Sequence, residues 1–165
     1  MIEKVVLGFG SNIGSRFRNI NNAIRVLSLN KDFNLLALSS VYETEPWGFK
    51  HQRNFLNCAA VFLSRLSPAG LVKFIKKTEK QAGRVKRDKW QAREIDIDVL
   101  FYGSRIIDRR YLKVPHPYLY ERNFVLTPLV EIVPGFIHPV LKKNITELSK
   151  ISVDTSNVKI YKGHN

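Results

Sequence analysis

The stretch Ile95-Asp96-Ile97-Asp98-Val99-Leu100-Phe101-Tyr102 constrains the fold more than any other part of the chain. Its β-branched and aromatic residues predict a strand, although aspartate is disfavoured in strands. Because strand side chains alternate between faces, Asp96 and Asp98 share one face and the isoleucines pack behind them. Two carboxylates on one rigid face suit Mg²⁺, which is typically held by one or two carboxylates with phosphate and water oxygens. A solvated sheet face over an apolar layer gives the same alternation, so the pattern alone favours neither interpretation.

A cationic segment leads directly into this strand. Residues 73–93 include nine lysines or arginines but only two acidic residues. Cations and a carboxylate-bound metal together neutralise a polyphosphate, and phosphoryl transfer depends mainly on that neutralisation and on alignment. The lysines at 73–80 are more simply explained as the solvated face of a helix. Arg84, Lys86 and Arg93 lie outside that helix and are better candidates for substrate contacts.

Composition and charge limit the class of protein. A chain of 165 residues with 44% hydrophobic content fits one globular domain, residues 1–165, with its core over about 4–150. The formal net charge of +13 indicates anionic partners without choosing among nucleotides, nucleic acids and acidic membranes. The apolar run 5–9 is too short for a signal peptide, no stretch approaches membrane-spanning length, and the single cysteine, Cys58, lies in an apolar run. We therefore expect a soluble, cytoplasmic protein without a disulfide.

The order of the predicted elements indicates an α+β fold. In chain order they are a strand at 4–10, a helix to about Leu29, strands at 34–44 and 54–64, a helix from Ser67-Pro68 to about Ala82, and a strand at 95–102. This succession of strand, helix, strand, strand, helix and strand is the ferredoxin-like arrangement. Beyond it we expect additional C-terminal helices near 119–132 and 144–150, and a poorly ordered polar tail at 154–165.

The motif Gly8-Phe9-Gly10-Ser11-Asn12-Ile13-Gly14 has the composition of a dinucleotide-binding glycine loop but not its spacing. Ile13 occupies the position where the third glycine is needed, and no Gly-Lys-Ser/Thr phosphate loop occurs elsewhere in the chain. We interpret the motif as a tight turn between a strand and a helix.

A second group of residues suits a flat ligand. The loop 42–48, followed by Phe55-Leu56-Asn57, places aromatic faces beside small hydrogen-bonding groups. Such a mixture can hold a polar heterocycle by stacking and a few directed hydrogen bonds. Asn57 is the most informative of these residues, because asparagine is depleted from strands and its amide can both donate and accept.

Taken in order, several motifs carry a family resemblance. They are Gly10-Ser11-Asn12-x-Gly14, Ser40-x-Tyr42-x-Thr44-x-Pro46-x-Gly48, Gln52-x-x-Phe55-x-Asn57, Glu79-x-x-x-Gly83-Arg84, Trp90-x-x-Arg93-x-Ile95-Asp96-Ile97-Asp98, and Val114-Pro115-His116-Pro117 followed by Arg122-x-Phe124. Several are common singly, but their combined order and spacing are highly specific. Over roughly residues 5–140 the chain resembles the 6-hydroxymethyl-7,8-dihydropterin pyrophosphokinase family, which moves pyrophosphate from ATP to a pterin alcohol in folate biosynthesis.

The resemblance implies roles for residues in these motifs and beside them. The implied catalytic residues are Arg84, Lys86, Arg93, Asp96 and Asp98, of which the two aspartates would hold two Mg²⁺ ions. The implied ATP site comprises Glu79, Trp90, Arg93, Val99, His116 and Arg122. The implied pterin site comprises Thr44, Pro46, Trp47, Phe55, Asn57 and Phe124. ATP and 6-hydroxymethyl-7,8-dihydropterin are then the substrates and AMP the leaving group, and we expect a monomer that binds neither nucleic acid nor membrane.

A basic RNA-binding domain is the chief rival, since RNA-recognition modules share the ferredoxin-like order. Such modules need exposed aromatics on central strands in a Lys/Arg-Gly-aromatic pattern, which the strand at 54–64 lacks. Asp96 and Asp98 would also repel an RNA backbone. A catalytically inactive relative that senses nucleotides is a third possibility, against which the complete set of motif residues argues.

Overall fold

The structure, a computed structural model, describes residues 2–46, 51–85 and 91–163. Its strands are β1 (Glu3–Ser11), β2 (Phe33–Leu38), β3 (Tyr42–Thr44), β4 (Phe55–Ser64), β5 (Asp96–Tyr102), β6 (Ile107–Arg109), β7 (Leu112–Val114) and β8 (Val158–Ile160). Its helices are α1 (Arg16–Ser28), α2 (Pro68–Gln81), α3 (Asn123–Ile132) and α4 (Ile145–Ile151), with a turn of 3-10 helix at Leu119–Glu121.

β1 and β4 form the middle of the main sheet. The strand order is β5-β1-β4-β3-β8, and β2 lies beside the second half of β4. β1 is antiparallel to both of its neighbours, β4 and β5. This order confirms the predicted α+β class and matches the ferredoxin-like arrangement, with β2 and β3 sharing one strand position.

Helices cover both faces of the sheet. α1 and α2 pack on one face, through a core that includes Leu7 and Ile75. α3 and α4 pack on the other face, through a core that includes Val6, Leu126 and Leu148. Val6 and Leu7 are neighbours on β1 but belong to different cores, because strand side chains alternate. Within the described ranges, no helix is long and apolar enough to cross a membrane.

The predicted helix opening at Ser67-Pro68 is confirmed. The Ser67 hydroxyl accepts a hydrogen bond from the N–H of Gly70 at 3.2 Å, and Pro68 occupies the first helical position. The apolar face of α2 then buries Leu71 and Ile75 against the sheet. The last turn of the helix consequently brings Glu79 to the edge of β5.

The predicted strand at 34–44 is two strands, β2 and β3, interrupted at 39–41. The N–H of Ser39 still donates to the Ala59 carbonyl at 2.9 Å, but serine side chains also bond to the main chain there. Ser39 Oγ accepts the N–H of Ala59 at 2.9 Å, and the Glu131 carboxylate accepts both the N–H and the hydroxyl of Ser40. Serine side chains that bond to nearby main chain compete with regular strand pairing, so the interruption follows from these serines.

The C-terminal region departs further from the prediction. The expected helix near 119–132 is a 3-10 turn followed by α3. The β6–β7 hairpin has no signal in the sequence, because strands of three residues are too short to show alternation. The expectation of a poorly ordered tail is wrong at 158–160, where β8 pairs with β3. β8 is an edge strand, and the Lys159 and Ile160 side chains on it are exposed.

We predict that Leu126→Ala lowers the free energy of unfolding by about 2–5 kcal/mol, because Leu126 is fully buried on the sheet-facing side of α3 and its truncation leaves a cavity. Leu29→Ala is the matched control, since the Leu29 side chain is 74% exposed. Urea unfolding of both variants measures the difference. Equal losses in the two variants would contradict a packed α3 layer.

Candidate active site

A cavity lies between α3 and the sheet face that carries Asp96 and Asp98. The residues that line it include Gly8, Gly10, Thr44, Phe55, Asn57, Arg93, Asp96, Asp98, Arg122 and Phe124. They come from β1, β3, β4, β5, the loop before β5 and the start of α3. Side chains predicted for metal, nucleotide and pterin binding therefore meet in one place.

The register of the sheet explains why these residues meet. Gly10 of β1 pairs with Asp96 on one side and with Asn57 on the other, and Gly8 pairs with Asp98. Because neither glycine carries a side chain, the floor between the carboxylates and the amide stays open. A Cβ atom on Gly10 would lie only 3.1 Å from Asn57 Oδ1.

Gly14 alone fits the interpretation of the glycine motif as a turn. It has a φ of 64°, in the left-handed region that favours glycine. Gly8 and Gly10 instead lie within β1, so the turn interpretation is wrong for them. Their spacing of two residues matches that of Asp96 and Asp98. This shared period is the sequence signal that could have identified them as the cavity floor.

Asp96 is bonded to two arginines. Arg84 Nη1 lies 2.7 Å from Asp96 Oδ1, and Arg93 Nη1 donates to Asp96 Oδ2. Arg84 also donates to Glu79, whose carboxylate accepts the N–H of Ile97 at 2.9 Å. Burial raises the pKa of Glu79 in spite of the nearby Arg84 charge. The segment between α2 and β5 thus supplies two cations, Arg84 and Arg93, to one carboxylate.

Asp98 has a different environment. Burial at the base of the cavity, together with the like charge of Asp96, raises the pKa of Asp98 to about 7, against the attraction of Arg122 and Arg93. Part of its surface remains accessible. The ionised form of such a group is stabilised by any further cation that approaches it. Two adjacent carboxylates, one of them poorly compensated, suit a divalent cation.

The loop before α3 adds a histidine and a stacked arginine. The N–H of His116 donates to the Leu100 carbonyl at 3.0 Å, which fixes this loop against β5. Burial and the charge of Arg122 lower the pKa of His116 to about 4, so its imidazole is neutral at pH 7. The Arg122 guanidinium lies 5.0 Å from the ring centroid of Tyr118 and 5.7 Å from that of Phe124.

The β3–β4 side of the cavity carries the predicted pterin residues. Asn57 Nδ2 donates to Thr44 Oγ1 at 2.7 Å, and both side chains are buried. Phe55 and Phe124 contribute aromatic rings to the lining, and Pro46 is buried just beyond β3. An amide oxygen and a hydroxyl hydrogen beside aromatic faces can recognise a polar heterocycle.

Asn12 joins two walls of the cavity. Its Oδ1 accepts the N–H of Arg93 at 2.7 Å, while its Nδ2 donates to Gln52 Oε1 at 3.0 Å and to the Arg53 carbonyl at 3.2 Å. Asn12 is 2% exposed, so these bonds satisfy a buried amide. Sequence reasoning placed Asn12 only in a turn, because burial and long-range partners leave no local signal.

Val99 does not reach the cavity through its side chain. Strand alternation turns it away from Asp96 and Asp98 and into the core under α1 and α2, so the prediction that it contacts ATP does not hold for its side chain. The predicted roles of Trp47, Lys86 and Trp90 concern residues outside the described ranges, and they stay predictions.

We predict that Asp98→Asn stabilises the metal-free protein at pH 8 but hardly at pH 4.5. A carboxyl group whose pKa is raised in the folded state costs stability as pH rises from its unfolded value of about 4 to its folded value of about 7. The difference in the free energy of unfolding between Asp98→Asn and the wild type should therefore grow by about 1–3 kcal/mol from pH 4.5 to pH 8, allowing for solvent screening.

Urea unfolding in the presence of a chelator measures this gain. Asp108→Asn serves as the control, because Asp108 is exposed and its partner Lys113 lowers its pKa. The gain for the control should not rise with pH. A gain for Asp98→Asn that is equal at both pH values would contradict the assigned electrostatics.

Comparison with known proteins agrees with this geometry. A model of the family described as 7,8-dihydro-6-hydroxymethylpterin-pyrophosphokinase matches residues 6–134. A protein of Aquifex aeolicus named 2-amino-4-hydroxy-6-hydroxymethyldihydropteridine pyrophosphokinase is 46% identical over 143 residues, which cover 87% of this chain and 88% of the relative. The folic acid synthesis protein FOL1 of Dictyostelium discoideum is 43% identical over 137 residues, which cover 83% of this chain and 20% of that protein.

Solved structures share the fold. The wild-type HPPK-DHPS protein of Plasmodium falciparum in complex with pteroate superposes with a TM-score of 0.73 at 16% identity, covering 91% of this chain and 42% of that one. An HPPK-DHPS crystal structure in complex with substrates gives a TM-score of 0.68 at 16% identity, with 91% and 43% covered. This chain therefore spans about two fifths of those longer proteins. On the match to the family model and the identity to the Aquifex aeolicus protein, the chain belongs to the 7,8-dihydro-6-hydroxymethylpterin-pyrophosphokinase family.

Proposed function

We propose that this chain transfers the pyrophosphoryl group of ATP to 6-hydroxymethyl-7,8-dihydropterin at the cavity under α3. One observation carries the proposal: Asp96 and Asp98 lie on one side of the glycine floor, and the Asn57–Thr44 pair lies on the other. Direct transfer between two bound substrates requires a phosphate site and a heterocycle site at such close range. Membership of the family supports the same reaction.

Asp96 and Asp98 would hold two Mg²⁺ ions. The fit rests on the donors, since two carboxylates suit a cation whose coordination is completed by phosphate and water oxygens. In the part of the chain that the structure describes, no cluster of three or more His, Cys, Asp or Glu side chains is placed to hold a metal, so these two carboxylates would rely on ATP and water. When bound, Mg²⁺ supplies charge neutralisation for the triphosphate and a lower pKa for the attacking hydroxyl.

Arg84 and Arg93 are the proposed phosphate ligands nearest to the carboxylates. Their guanidinium groups bond to Asp96, and phosphate oxygens accept the same donors in the same forked geometry. Glu79 orients Arg84 by a direct bond, and Asn12 holds the main chain at Arg93. The two arginines then neutralise the charge on the transferred phosphoryl oxygens.

The proposed reaction is a direct displacement. The hydroxymethyl oxygen of the pterin forms a bond to the β-phosphorus of ATP. The bond from that phosphorus to the oxygen bridging to the α-phosphorus breaks, AMP leaves with that oxygen, and the hydroxyl proton is released. His116 and Arg122 would contact the nucleotide, with His116 available as a neutral hydrogen-bonding group at pH 7.

The pterin would lie against Asn57 and Thr44. The amide oxygen of Asn57 can accept from a ring N–H or amino group, and the Thr44 hydroxyl can donate to a ring acceptor while it accepts from Asn57. Phe55 and Phe124 would cover the flat faces of the ring, with Pro46 packed beside them. Buried polar groups of this kind reject ligands that leave them unpaired.

The alternative of an RNA-binding module is disfavoured by the helices on the sheet. RNA-recognition modules stack bases on aromatic residues of an exposed sheet face. Here α1 and α2 cover one face, and α3 and α4 cover the other through Leu100, Phe101 and Leu126. The face that such a module would use is already packed.

We further propose a cytoplasmic monomer whose partners are the two substrates. The buried free thiol of Cys58 fits a reducing compartment. Size-exclusion chromatography with light scattering should give the mass of one chain.

The deciding experiment is to incubate the protein with ATP, Mg²⁺ and the pterin alcohol and to identify the nucleotide product. AMP supports pyrophosphoryl transfer. ADP would indicate an ordinary kinase and would overturn the proposal.

We predict that Asp96→Ala and Asp98→Ala each lower turnover at least about a thousandfold, equivalent to roughly 4 kcal/mol in the activation barrier. The cause is loss of one of the two proposed metal ligands. Both variants should remain folded, since Asp96 and Asp98 line the cavity and belong to neither hydrophobic core. AMP release at saturating substrate measures turnover, and Asp108→Ala controls for the loss of an aspartate. Near-normal turnover in either variant would refute the metal role.

We predict that Asn57→Ala weakens binding of the pterin at least about tenfold and binding of a non-hydrolysable ATP analogue less than about threefold. The loss is selective because it leaves polar groups of only one ligand unpaired. Calorimetric titration with each ligand measures both affinities. Asn34→Ala, at an exposed asparagine on β2, is the matched control. Equal losses for both ligands would assign Asn57 a structural role only.

A further inference from the structure

The C-terminal segment 152–161 contacts both sides of the cavity. At its start, Asp154 bonds to the first residue of α3. At its end, β8 pairs with β3, which places Val158 opposite Thr44. The predicted pterin residues Phe124 and Thr44 are thus attached to the same short stretch of chain.

The contact with α3 is a helix cap supplied from a distance. Arg122 occupies the N-cap position of α3, and its side chain makes no capping hydrogen bond. Asp154 Oδ2 instead accepts the N–H of Asn123 at 2.6 Å, and the Asn123 amide donates to the Asp154 carbonyl. Asp154 Oδ1 accepts the N–H of Ser156 at 2.8 Å. Although burial opposes it, these N–H donors hold the pKa of Asp154 below its usual range, so the group is anionic at neutral pH.

α3 needs a cap from outside the helix because the residue at its own N-cap position, Arg122, faces the cavity residues instead. A capping position normally carries Ser, Thr, Asp or Asn, whose side chain accepts an N–H of the first turn. Arg122 cannot accept, and its guanidinium is directed at the rings of Tyr118 and Phe124. The Asp154 carboxylate therefore accepts the N–H of Asn123 and complements the positive end of the α3 dipole.

The contact with β3 restrains the opposite wall. The N–H of Tyr161 donates to the Val41 carbonyl at 2.8 Å, and the Tyr161 ring lies 5.9 Å from the guanidinium carbon of Arg16. Arg16 in turn donates to Glu43 of β3 and to the carbonyl of Asn54, each at 2.7 Å. The end of the segment is therefore bonded around the strand that carries Thr44.

We propose that Asp154 is a positioning residue for pterin recognition: by bonding to the first turn of α3 it fixes Phe124 at a set distance from Thr44 and Asn57. This inference rests on the proposed function. Phe124 is the second residue of α3, so a displaced first turn moves its ring directly. Small misplacements of a binding group reduce productive binding strongly.

The test compares Asp154→Ala, Asp154→Asn and the control Asp108→Ala. In Asp154→Ala we expect the KM for the pterin alcohol to rise about tenfold, while the KM for MgATP and kcat each change less than about threefold. Asp154→Asn retains an oxygen that accepts the N–H of Asn123, so its pterin KM should return to within about threefold of the wild type. Hydrogen exchange at residues 122–126 should be faster in Asp154→Ala only.

Should Asp154→Ala fail to fold, Asn123→Pro provides the same test. Proline is favoured at the first helical position and removes the N–H that Asp154 accepts. Its pterin KM should rise as well. An unchanged pterin KM in the folded variant, with or without faster exchange, overturns the positioning role. If the wild-type chain releases no AMP with the pterin alcohol, the proposed function is overturned. If the wild type is active and Asp154→Ala has the same KM for the pterin alcohol, only the positioning role of Asp154 is overturned.

Discussion

The position of β1 between β4 and β5 is the constraint on which the site depends. Gly10 pairs with Asp96 on one side and with Asn57 on the other. Asp96 and Asn57 therefore lie two strand spacings apart, roughly 10 Å. A slip of one residue in β5 would turn Asp96 and Asp98 into the core under α1 and α2. That slip is resisted because it would bury two charges and expose Ile97.

The same pairing concentrates negative charge. Asp96 and Asp98 lie on one face with no side chain between them, and the cost of that arrangement appears in the raised pKa of Asp98. Arg84 and Arg93 offset it at Asp96. A site that gathers carboxylates and then surrounds them with cations is suited to exchange those cations for a metal and a polyphosphate. The charge balance is therefore a property of the whole site rather than of any one residue.

The helix layer over the sheet distinguishes this chain from an open ferredoxin-like domain. α3 covers the face that carries the carboxylates, and its first turn presents Arg122 and Phe124 to the cavity. Glu131, on the last turn of α3, bonds to Ser40 and to the Tyr42 hydroxyl. α3 is therefore held against β3 at one end directly and at the other through the C-terminal segment.

Much of the fold and of the candidate site could be predicted because the signals are local. Alternation in β5 revealed the shared face of Asp96 and Asp98, and the unusual asparagine in β4 indicated Asn57. Val99 shows the limit: the family resemblance assigned it to the nucleotide, yet its own alternation places its side chain in the core. The interruption of the strand at 34–44 was missed because Ser39 and Ser40 bond to Ala59 and Glu131, which lie far along the chain.

By itself the sequence determined the class of fold, the face of β5 that carries charge, and the family, because propensity, period and motif spacing are properties of neighbouring residues. Only the tertiary structure decided that Gly8 and Gly10 form the cavity floor, that Asn12 joins two walls, and that Asp154 caps α3. These roles depend on strand register, burial and contacts between residues distant along the chain. Such features arise only when the chain has folded, since no local pattern encodes which distant group will satisfy a buried donor.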